Sequence, residues 1–255
     1  MKRIARPLFL LLWLPALTFA QIRVDPNLMQ ALLEGTQSVM LTNAQVAAYS
    51  RQAVQQMDAK NPVAGPNDPY TQRLNRIVRR HRTVSGLPIN YKVYLVKDVN
   101  AFATADGSLR VFKGLMDIMT DQELLAIMGH EIGHVINHDS HDAMKGALRR
   151  SALRNAAAAQ SGTLGRLSRS QVGGLADYLV GASFSRRQET EADDYSYEFL
   201  KRNGYNVMAL ATSFEKLAQK SGGSNRLTQF VSTHPDSRAR AQRVRDRARR
   251  DGLAR

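Results

Sequence analysis

The 255-residue chain contains no cysteine. This absence excludes disulfide bonds, thiolate metal ligands and a lipid-acceptor cysteine. An exported form must therefore rely on its hydrophobic core and on any bound metal. Internal repeats and glycine-rich nucleotide-binding motifs are also missing from the sequence. We therefore expect neither a lipoprotein nor a nucleotide-binding protein.

Long hydrophobic runs are scarce, and the clearest one lies at the N-terminus. Three basic residues precede an apolar run over residues 8–17, which is soon followed by Ala20. This layout is typical of a secretory signal peptide over residues 1–20, and it predicts an exported, periplasmic protein. An uncleaved membrane anchor is the alternative, but the run is shorter than the ~20 residues that a bilayer requires.

Acidic residues are outnumbered, which gives the chain a formal net charge of +14. Much of the excess lies near the C-terminus, in Arg238, Arg240, Arg243, Arg245, Arg247, Arg249 and Arg250. A solvated, arginine-rich helix accounts for this pattern, and a peripheral contact with an anionic membrane surface is the alternative. The segment has no aromatic residue on which a base could stack, so we expect no specific nucleic-acid partner. The oligomeric state does not follow from the sequence.

The composition, 43% hydrophobic and 23% charged, is that of a globular protein. Apolar residues at helical spacing predict a helix over residues 43–57 with Asn43 as its cap. β-Branched and aromatic residues predict a strand over residues 91–96, and Asp106-Gly107 predicts a turn between two further strands. Helices return after this turn. The predicted fold class is therefore α+β, mostly helical with a small sheet.

The most specific motif is HExxH at residues 130–134. A Thr-x-x-Glu capping box that starts at Thr120 predicts that the motif lies on a helix. His130 and His134 then project from one helix face and can share one Zn²⁺ ion. Glu131 lies beside the first ligand and can reach a water molecule at the metal without binding the metal itself. The sequence therefore predicts one zinc ion per chain, with Glu131 as the general base.

A catalytic zinc site needs a third protein ligand, and Glu189 is the favoured candidate. Asp193 lies one helical turn further on and can accept a hydrogen bond from the outer nitrogen of a ligand histidine, most simply His130. Glu191 is a rival ligand, but no acid lies four residues beyond it. His138 is another, although it leans away from a metal held by the two motif histidines.

Three stretches together resemble the HtpX-like and CAAX-prenyl-protease family of gluzincins. They are HExxH, Ser-Arg-x-x-Glu-x-x-x-Asp at residues 185–193 and Ser-Thr-His-Pro at residues 232–235. The sequence pattern predicts an N-terminal helical segment over residues 21–60, and the resemblance covers roughly residues 45–245. A zinc metallopeptidase domain over residues 61–255 follows this segment and ends in the arginine-rich helix. The transmembrane helices of the HtpX proteins are missing, and residues 145–184 stand in their place.

By this resemblance the chain hydrolyses internal peptide bonds of polypeptides, in particular misfolded or unassembled envelope proteins. Residues 100–103 would pair with an extended substrate as an added strand. His234 would either steady the oxyanion or cap the zinc at rest, and Arg238 is a further candidate for the oxyanion. The alternative is a zinc-stabilised chaperone or envelope-assembly factor that does not cleave, for which Glu131 is the discriminating residue. A basic interaction protein acting through its C-terminus is a weaker alternative.

Overall fold

A computed structural model describes residues 42–159, 181–220 and 228–254. The predicted signal peptide and much of the stretch over residues 145–184 lie outside these ranges. The described helices are α1 (Asn43–Lys60), α2 (Pro69–Ile77), α3 (Lys113–Ile118), α4 (Asp121–Ile136), α5 (Asp139–Ala159), α6 (Arg186–Arg202), α7 (Met208–Lys220), α8 (Thr228–Thr233) and α9 (Ser237–Arg250). The strands are β1 (Thr83–Val84), β2 (Leu87–Pro88), β3 (Asn90–Tyr94), β4 (Ala101–Ala103) and β5 (Ser108–Phe112). In this part of the chain, no helix is both long and apolar enough to cross a bilayer.

The main sheet has three strands in the order β3-β5-β4. The central strand β5 runs parallel to β3 and antiparallel to β4. The turn between β4 and β5 contains Gly107 at φ +82°, a conformation that glycine adopts without steric cost. The predicted turn at Asp106-Gly107 and the mostly helical α+β fold are therefore confirmed, and the predicted strand over residues 91–96 forms at residues 90–94.

The two faces of this sheet pack into two different hydrophobic clusters, because alternate side chains of a strand point to opposite faces. Val93, Leu109 and Val111 belong to the main core, which they share with α4, α6, α7 and α9. On the opposite face, Tyr94 and Phe112 lie beside Phe102 and pack against α1 and the first turns of α5. The sheet is thus covered by helices on both sides.

Helix α4, which carries HExxH, runs through the centre of the molecule. Every residue from Glu123 to Val135 is buried. The predicted capping box is present, with the Glu123 amide donating to Thr120 Oγ1 and the Thr120 amide donating to the Glu123 carboxylate. Strands β4 and β5 contact one side of α4, and α6 and α7 contact the others. Because α4 is held from all sides, the motif histidines project into protein rather than into solvent.

Helix α1 is joined to the sheet by an ionic cluster around the buried Arg110. Its Asp58 carboxylate accepts hydrogen bonds from Arg110 Nε at 2.8 Å, Lys92 Nζ at 2.7 Å and Tyr94 OH at 2.8 Å. The Arg110 side chain is only 2% exposed. The predicted cap of this helix at Asn43 is wrong by one residue. Thr42 is the cap, because its hydroxyl and the Gln45 side chain form a capping box.

Replacement of Asp58 by Asn is expected to destabilise the protein at neutral pH by about 3 kcal/mol, because the buried Arg110 loses its counter-charge. Burial alone would raise the Asp58 pKa, but hydrogen bonds from Arg110, Lys92 and Tyr94 lower it below 3.8. A lowered folded pKa contributes stability above the unfolded value, and that contribution is lost as the pH falls through the folded value. The difference between wild type and variant should therefore shrink below pH 3.8.

The measurement is the free energy of unfolding in urea across a pH series. Glu191→Gln is the matched control, because Glu191 forms an exposed ion pair with Arg187, one turn away on the same helix. That substitution should cost less than about 0.5 kcal/mol. A pH-independent loss in Asp58→Asn would contradict the electrostatic explanation.

Candidate metal centre

The metal-ligand candidates come together because α4 and α6 pack very closely. A Cβ atom added at Gly133 would lie 3.0 Å from both the Cα and the carbonyl oxygen of Ala192, and one at Gly129 would lie 3.0 Å from Ser196 Oγ. Ser196 Oγ also donates to the Ala126 carbonyl at 2.7 Å. Glycine at these positions therefore allows α4 and α6 to approach more closely than larger residues would permit. This close approach places α6 against the histidine face of α4.

Four buried side chains converge at this contact. One donor atom from each of His130, His134, Glu189 and His234 lies within 4.8 Å of the other three. The Nε2 atoms of the two motif histidines are 3.1 Å apart, and His134 Nε2 lies 3.5 Å from Glu189 Oε1. His234 Nδ1 lies 2.8 Å from the same oxygen and 3.3 Å from His130 Nε2. The cluster therefore contains the predicted ligand residues and His234 as well.

The donor set fits a tetrahedral zinc ion. Ligands at about 2.0–2.1 Å from zinc lie roughly 3.3–3.4 Å from one another in a tetrahedron, close to most of the separations in this cluster. Three imidazoles and one carboxylate are also the ligand types that zinc prefers. In addition, Glu131 Oε1 is buried without a hydrogen-bond partner among the described residues. A buried carboxylate oxygen of this kind is stabilised by a nearby positive charge.

Each motif histidine has a carboxylate behind it. His130 Nδ1 lies 2.9 Å from Asp193 Oδ1, and His134 Nδ1 lies 2.8 Å from Asp139 Oδ2. Both carboxylates are buried. A carboxylate at Nδ1 holds the proton on that nitrogen, leaves Nε2 free to bind a metal and increases its basicity. The Asp193 arrangement matches the sequence prediction, whereas Asp139 was not predicted from the sequence.

Arg240 of α9 is the principal cation of the site. Its side chain is 3% exposed, with Nη2 2.6 Å from Asp193 Oδ1 and Nη1 2.5 Å from Glu189 Oε2. The guanidinium group also lies over the Phe214 ring at 4.1 Å. Arg243 contacts Asp193 from the outer side at 2.5 Å. Arg240 therefore neutralises Glu189 and Asp193 and holds one Glu189 oxygen, while the other oxygen lies among the histidines.

Burial and these ion pairs separate the pKa values of the site. Burial and the Arg240 charge lower the pKa of His130 to about 3. Burial would also lower the pKa of His134, but its hydrogen bonds to Asp139 and Glu189 raise it to about 9. For Glu189, burial acts to raise the pKa, but hydrogen bonds from His134 and His234 lower it. At neutral pH and without a metal, His130 is therefore neutral, Glu189 is ionised and His134 is a cationic imidazolium. A metal that binds His134 would have to displace one of its protons.

Glu131 is buried at the rim of the cluster. Its Oε1 lies 3.5 Å from His234 Nε2, and burial is the main cause of the raised pKa of its carboxyl group. A carboxylate whose pKa is raised toward neutrality is suited to accept and return a proton.

The structure does not bring the other candidates to the cluster. Arg238 is exposed on α9, and two residues along a helix correspond to about 200° of rotation. Arg238 therefore lies away from the cluster, whereas the buried Arg240 contacts Glu189 and Asp193. Glu191 faces away and pairs with Arg187 at 2.8 Å. His138 is exposed in the turn after α4, with its ring beside that of His141.

Two residues of the site were missed by the sequence analysis. Arg240 was one of seven C-terminal arginines, and only the depth of the α9 contact distinguishes it from the others. Asp139 follows HExxH by five residues, which places it beyond the end of α4. Helical spacing therefore gave no signal that it would contact His134.

Comparison with known proteins agrees with this geometry. Residues 69–248 match the model of Peptidase family M48. The chain is similar to Metalloprotease LoiP of Escherichia coli (strain K12), with 46% identity over 238 residues, which are 93% of this chain and 94% of that protein. Metalloprotease YcaL of the same organism is 40% identical over 226 residues, 88% of each chain. The beta-barrel assembly-enhancing protease of Escherichia coli (strain K12) is 30% identical over 193 residues, 71% of this chain and 40% of that protein.

The family match includes HExxH, the α6 acidic residues and the α9 arginine that surround the donor cluster. The two relatives that align over nearly their whole length are both named metalloproteases. The chain therefore belongs to peptidase family M48 and is a metalloendopeptidase.

Proposed function

We propose that this metalloendopeptidase uses one Zn²⁺ ion, held by His130, His134 and Glu189. The observation that carries the proposal is the convergence of these three side chains with His234 around one buried point. Zinc bound there would supply a Lewis acid that polarises the scissile carbonyl and acidifies a water molecule. The remaining chemistry depends on the residues of the chain.

Glu131 acts as the general base. It takes a proton from the attacking water and returns that proton to the leaving amine. Its position supports this role, because its carboxylate is buried next to the donor cluster and does not belong to it. Arg240 holds Glu189 in place through the 2.5 Å contact with Oε2. Asp193 and Asp139 orient the two motif histidines.

His234 would cap the metal site when no substrate is bound. Its Nδ1 atom belongs to the donor cluster and would act as a fourth donor, in place of the water that a catalytic zinc site binds. His234 follows α8 directly, and its ring stacks on Phe230 with centroids 4.5 Å apart. The other role, stabilisation of the oxyanion, would require His234 to leave the donor cluster. The occupied position is therefore a resting one, and substrate has to displace His234.

The substrate is an extended polypeptide that pairs with β4. This strand is the edge of the main sheet and packs against the HExxH helix. Among the described residues, no further strand pairs with its outer side. An added strand would therefore obtain backbone hydrogen bonds next to the metal centre without a requirement for one side-chain sequence. Unfolded or unassembled envelope proteins offer such extended segments.

A chaperone or envelope-assembly factor that does not cleave is not favoured. The close relatives are named metalloproteases, and the buried position of Glu131 beside the donor cluster supports a role as general base. A protein that only binds metal has no use for a buried carboxylate at that position.

The setting of this activity is the periplasm. The N-terminal pattern of the sequence supports export, and one relative is named for enhancing β-barrel assembly. The mature protein is expected to begin at Gln21, because cleavage after Ala20 follows the small-residue rule of signal peptidases. N-terminal sequencing of the protein from a periplasmic extract identifies its first residue. An intact Met1 in the membrane fraction would indicate an anchored enzyme.

Contact with an anionic membrane surface is less supported for α9 than the sequence alone indicated. Arg243, Arg245 and Arg247 pair with acids of α6 and α7. By contrast, Arg76, Arg79, Arg80 and Arg82 are exposed, and none has an ion-pair partner among the described residues. A peripheral membrane contact would therefore use the end of α2.

Zinc content and proteolysis, measured together, test the proposed function. Purified mature protein should carry about one zinc per chain and should cut casein at internal bonds, with fragments identified by mass spectrometry. Removal of zinc by a chelator should stop cleavage, and readdition should restore it. Zinc-free protein that cleaves casein at the full rate would overturn the proposal.

A further inference from the structure

The turn between α4 and α5 places an acid directly behind a motif histidine. Helix α4 ends at Ile136 and α5 begins at Asp139, so only two residues reverse the chain. One of them, His138, has a left-handed backbone at φ +67°, which residues other than glycine rarely adopt. The reversal brings the buried Asp139 carboxylate to 2.8 Å from His134 Nδ1. The strained backbone at His138 therefore directly precedes Asp139, whose carboxylate it helps to place beside His134.

The other oxygen of Asp139 contacts the helix that supplies Glu189. Gln188 Nε2 donates to Asp139 Oδ1 at 2.9 Å. The Gln188 Oε1 atom accepts hydrogen bonds from the backbone amide and the hydroxyl of Ser185, both at 2.9 Å. Gln188 therefore uses its carbonyl to cap the start of α6 and its amino group to hold Asp139. Its chain neighbour is Glu189.

These contacts form a continuous path between two ligand candidates that belong to different helices. We propose that the Asp139–Gln188 bridge is a positioning device for the metal centre. Asp139 keeps the proton of His134 on Nδ1, so Nε2 is free for the metal. Gln188 keeps Asp139 in the orientation that does this and fixes the first turn of α6 relative to α4. The inference rests on the proposed function, because it assumes a metal at the cluster.

Asp139 and Asp193 differ in the side chains that hold their carboxylates in place. Asp193 is held by two arginines, so its orientation depends on charge. Asp139 is held by a neutral amide, and within the described residues its carboxylate has no arginine or lysine partner. Loss of Gln188 therefore removes the only described side chain that orients Asp139 against His134. The His134 side of the centre should respond to this loss more than the His130 side.

Asp139→Asn and Gln188→Met test the bridge in the full mature protein loaded with zinc. Both variants should keep about one zinc at saturation but release it to a chelator 10- to 100-fold faster, the usual effect of losing an outer partner. Ser185→Ala is the matched control for Gln188→Met, because it weakens the α6 cap and leaves the amino group of Gln188 on Asp139. Asp142→Asn is the control for Asp139→Asn, because Asp142 is an exposed acid in the same helical turn. Both controls should release zinc at the wild-type rate.

Proton NMR of ¹⁵N-histidine-labelled protein gives a readout that a purely structural role would not change. His134 Nδ1 should carry a slowly exchanging proton in the zinc-loaded wild type, and that proton should exchange faster in both bridge variants. The His130 signal should be unchanged. Wild-type release rates and an unchanged His134 signal in both variants would overturn the bridge. A wild-type protein that binds no zinc would instead overturn the proposed function itself.

Discussion

Replacement of Glu131 by Gln is expected to lower casein cleavage by about 100- to 10,000-fold, the usual contribution of a positioned general base. Glutamine has nearly the same shape but cannot accept the proton of the attacking water. The donor cluster does not include Glu131, so zinc content should stay at the wild-type level. Removal of a buried carboxylate should not destabilise the fold either, because burial already disfavours its charge.

The measurement is kcat/KM for casein, with zinc content determined on the same preparation. Glu191→Gln is the control, because Glu191 is only two residues from Glu189 but pairs with Arg187 on the outer face of α6. It should cleave at the wild-type rate. Cleavage by Glu131→Gln at the rate of this control would remove Glu131 from the mechanism.

Loss of a ligand is expected to have the second large effect. His130→Ala, His134→Ala and Glu189→Ala should each lower zinc affinity by more than the 10- to 100-fold that accompanies loss of an outer partner. Cleavage should be lost together with zinc. In Glu189→Ala the metal loses its only carboxylate ligand, and Arg240 loses one of its two carboxylate partners. This variant should therefore lose stability as well as zinc.

His234→Ala separates the three ligands from the fourth donor. Three protein ligands are sufficient for a catalytic zinc site, so this variant should keep its zinc at saturation. Because the cap is removed, its cleavage of casein should rise above wild type. A fall in kcat with normal zinc content would assign His234 to the oxyanion instead. Full zinc occupancy in Glu189→Ala would show that the third ligand is another residue.

Helix α6 contributes several residues of the candidate site, and other side chains hold these residues in place. The proposed ligand Glu189 and its proposed outer partner Asp193 lie on one face of α6, and Arg240 contacts both. Gln188, on the neighbouring face, reaches the turn after α4. Any shift of α6 along α4 would therefore disturb both histidines at once, and the close contact of Gly133 with Ala192 opposes such a shift.

Local sequence patterns were sufficient to predict most residues of the candidate site. His234 was implied by the resemblance of Ser-Thr-His-Pro at residues 232–235 to the family pattern. HExxH and the acids at residues 189 and 193 could be identified because each pair depends on local spacing: four residues on a helix place two side chains on one face. The α4 capping box and the Asp106-Gly107 turn were predictable for the same reason. Each depends on contacts or backbone angles within a few residues of the chain.

The residues that complete the candidate site from distant parts of the chain depend on how the helices pack. Arg240 and Arg238 have the same side chain, and the packing of α9 against α6 and α7 buries one and exposes the other. Asp139 reaches His134 because two residues reverse the chain between α4 and α5. Arg240 and Gln188 lie 47 and 49 residues from the aspartates that they contact. Such contacts follow from how helices pack, and that packing depends on the summed burial of many side chains rather than on any local pattern.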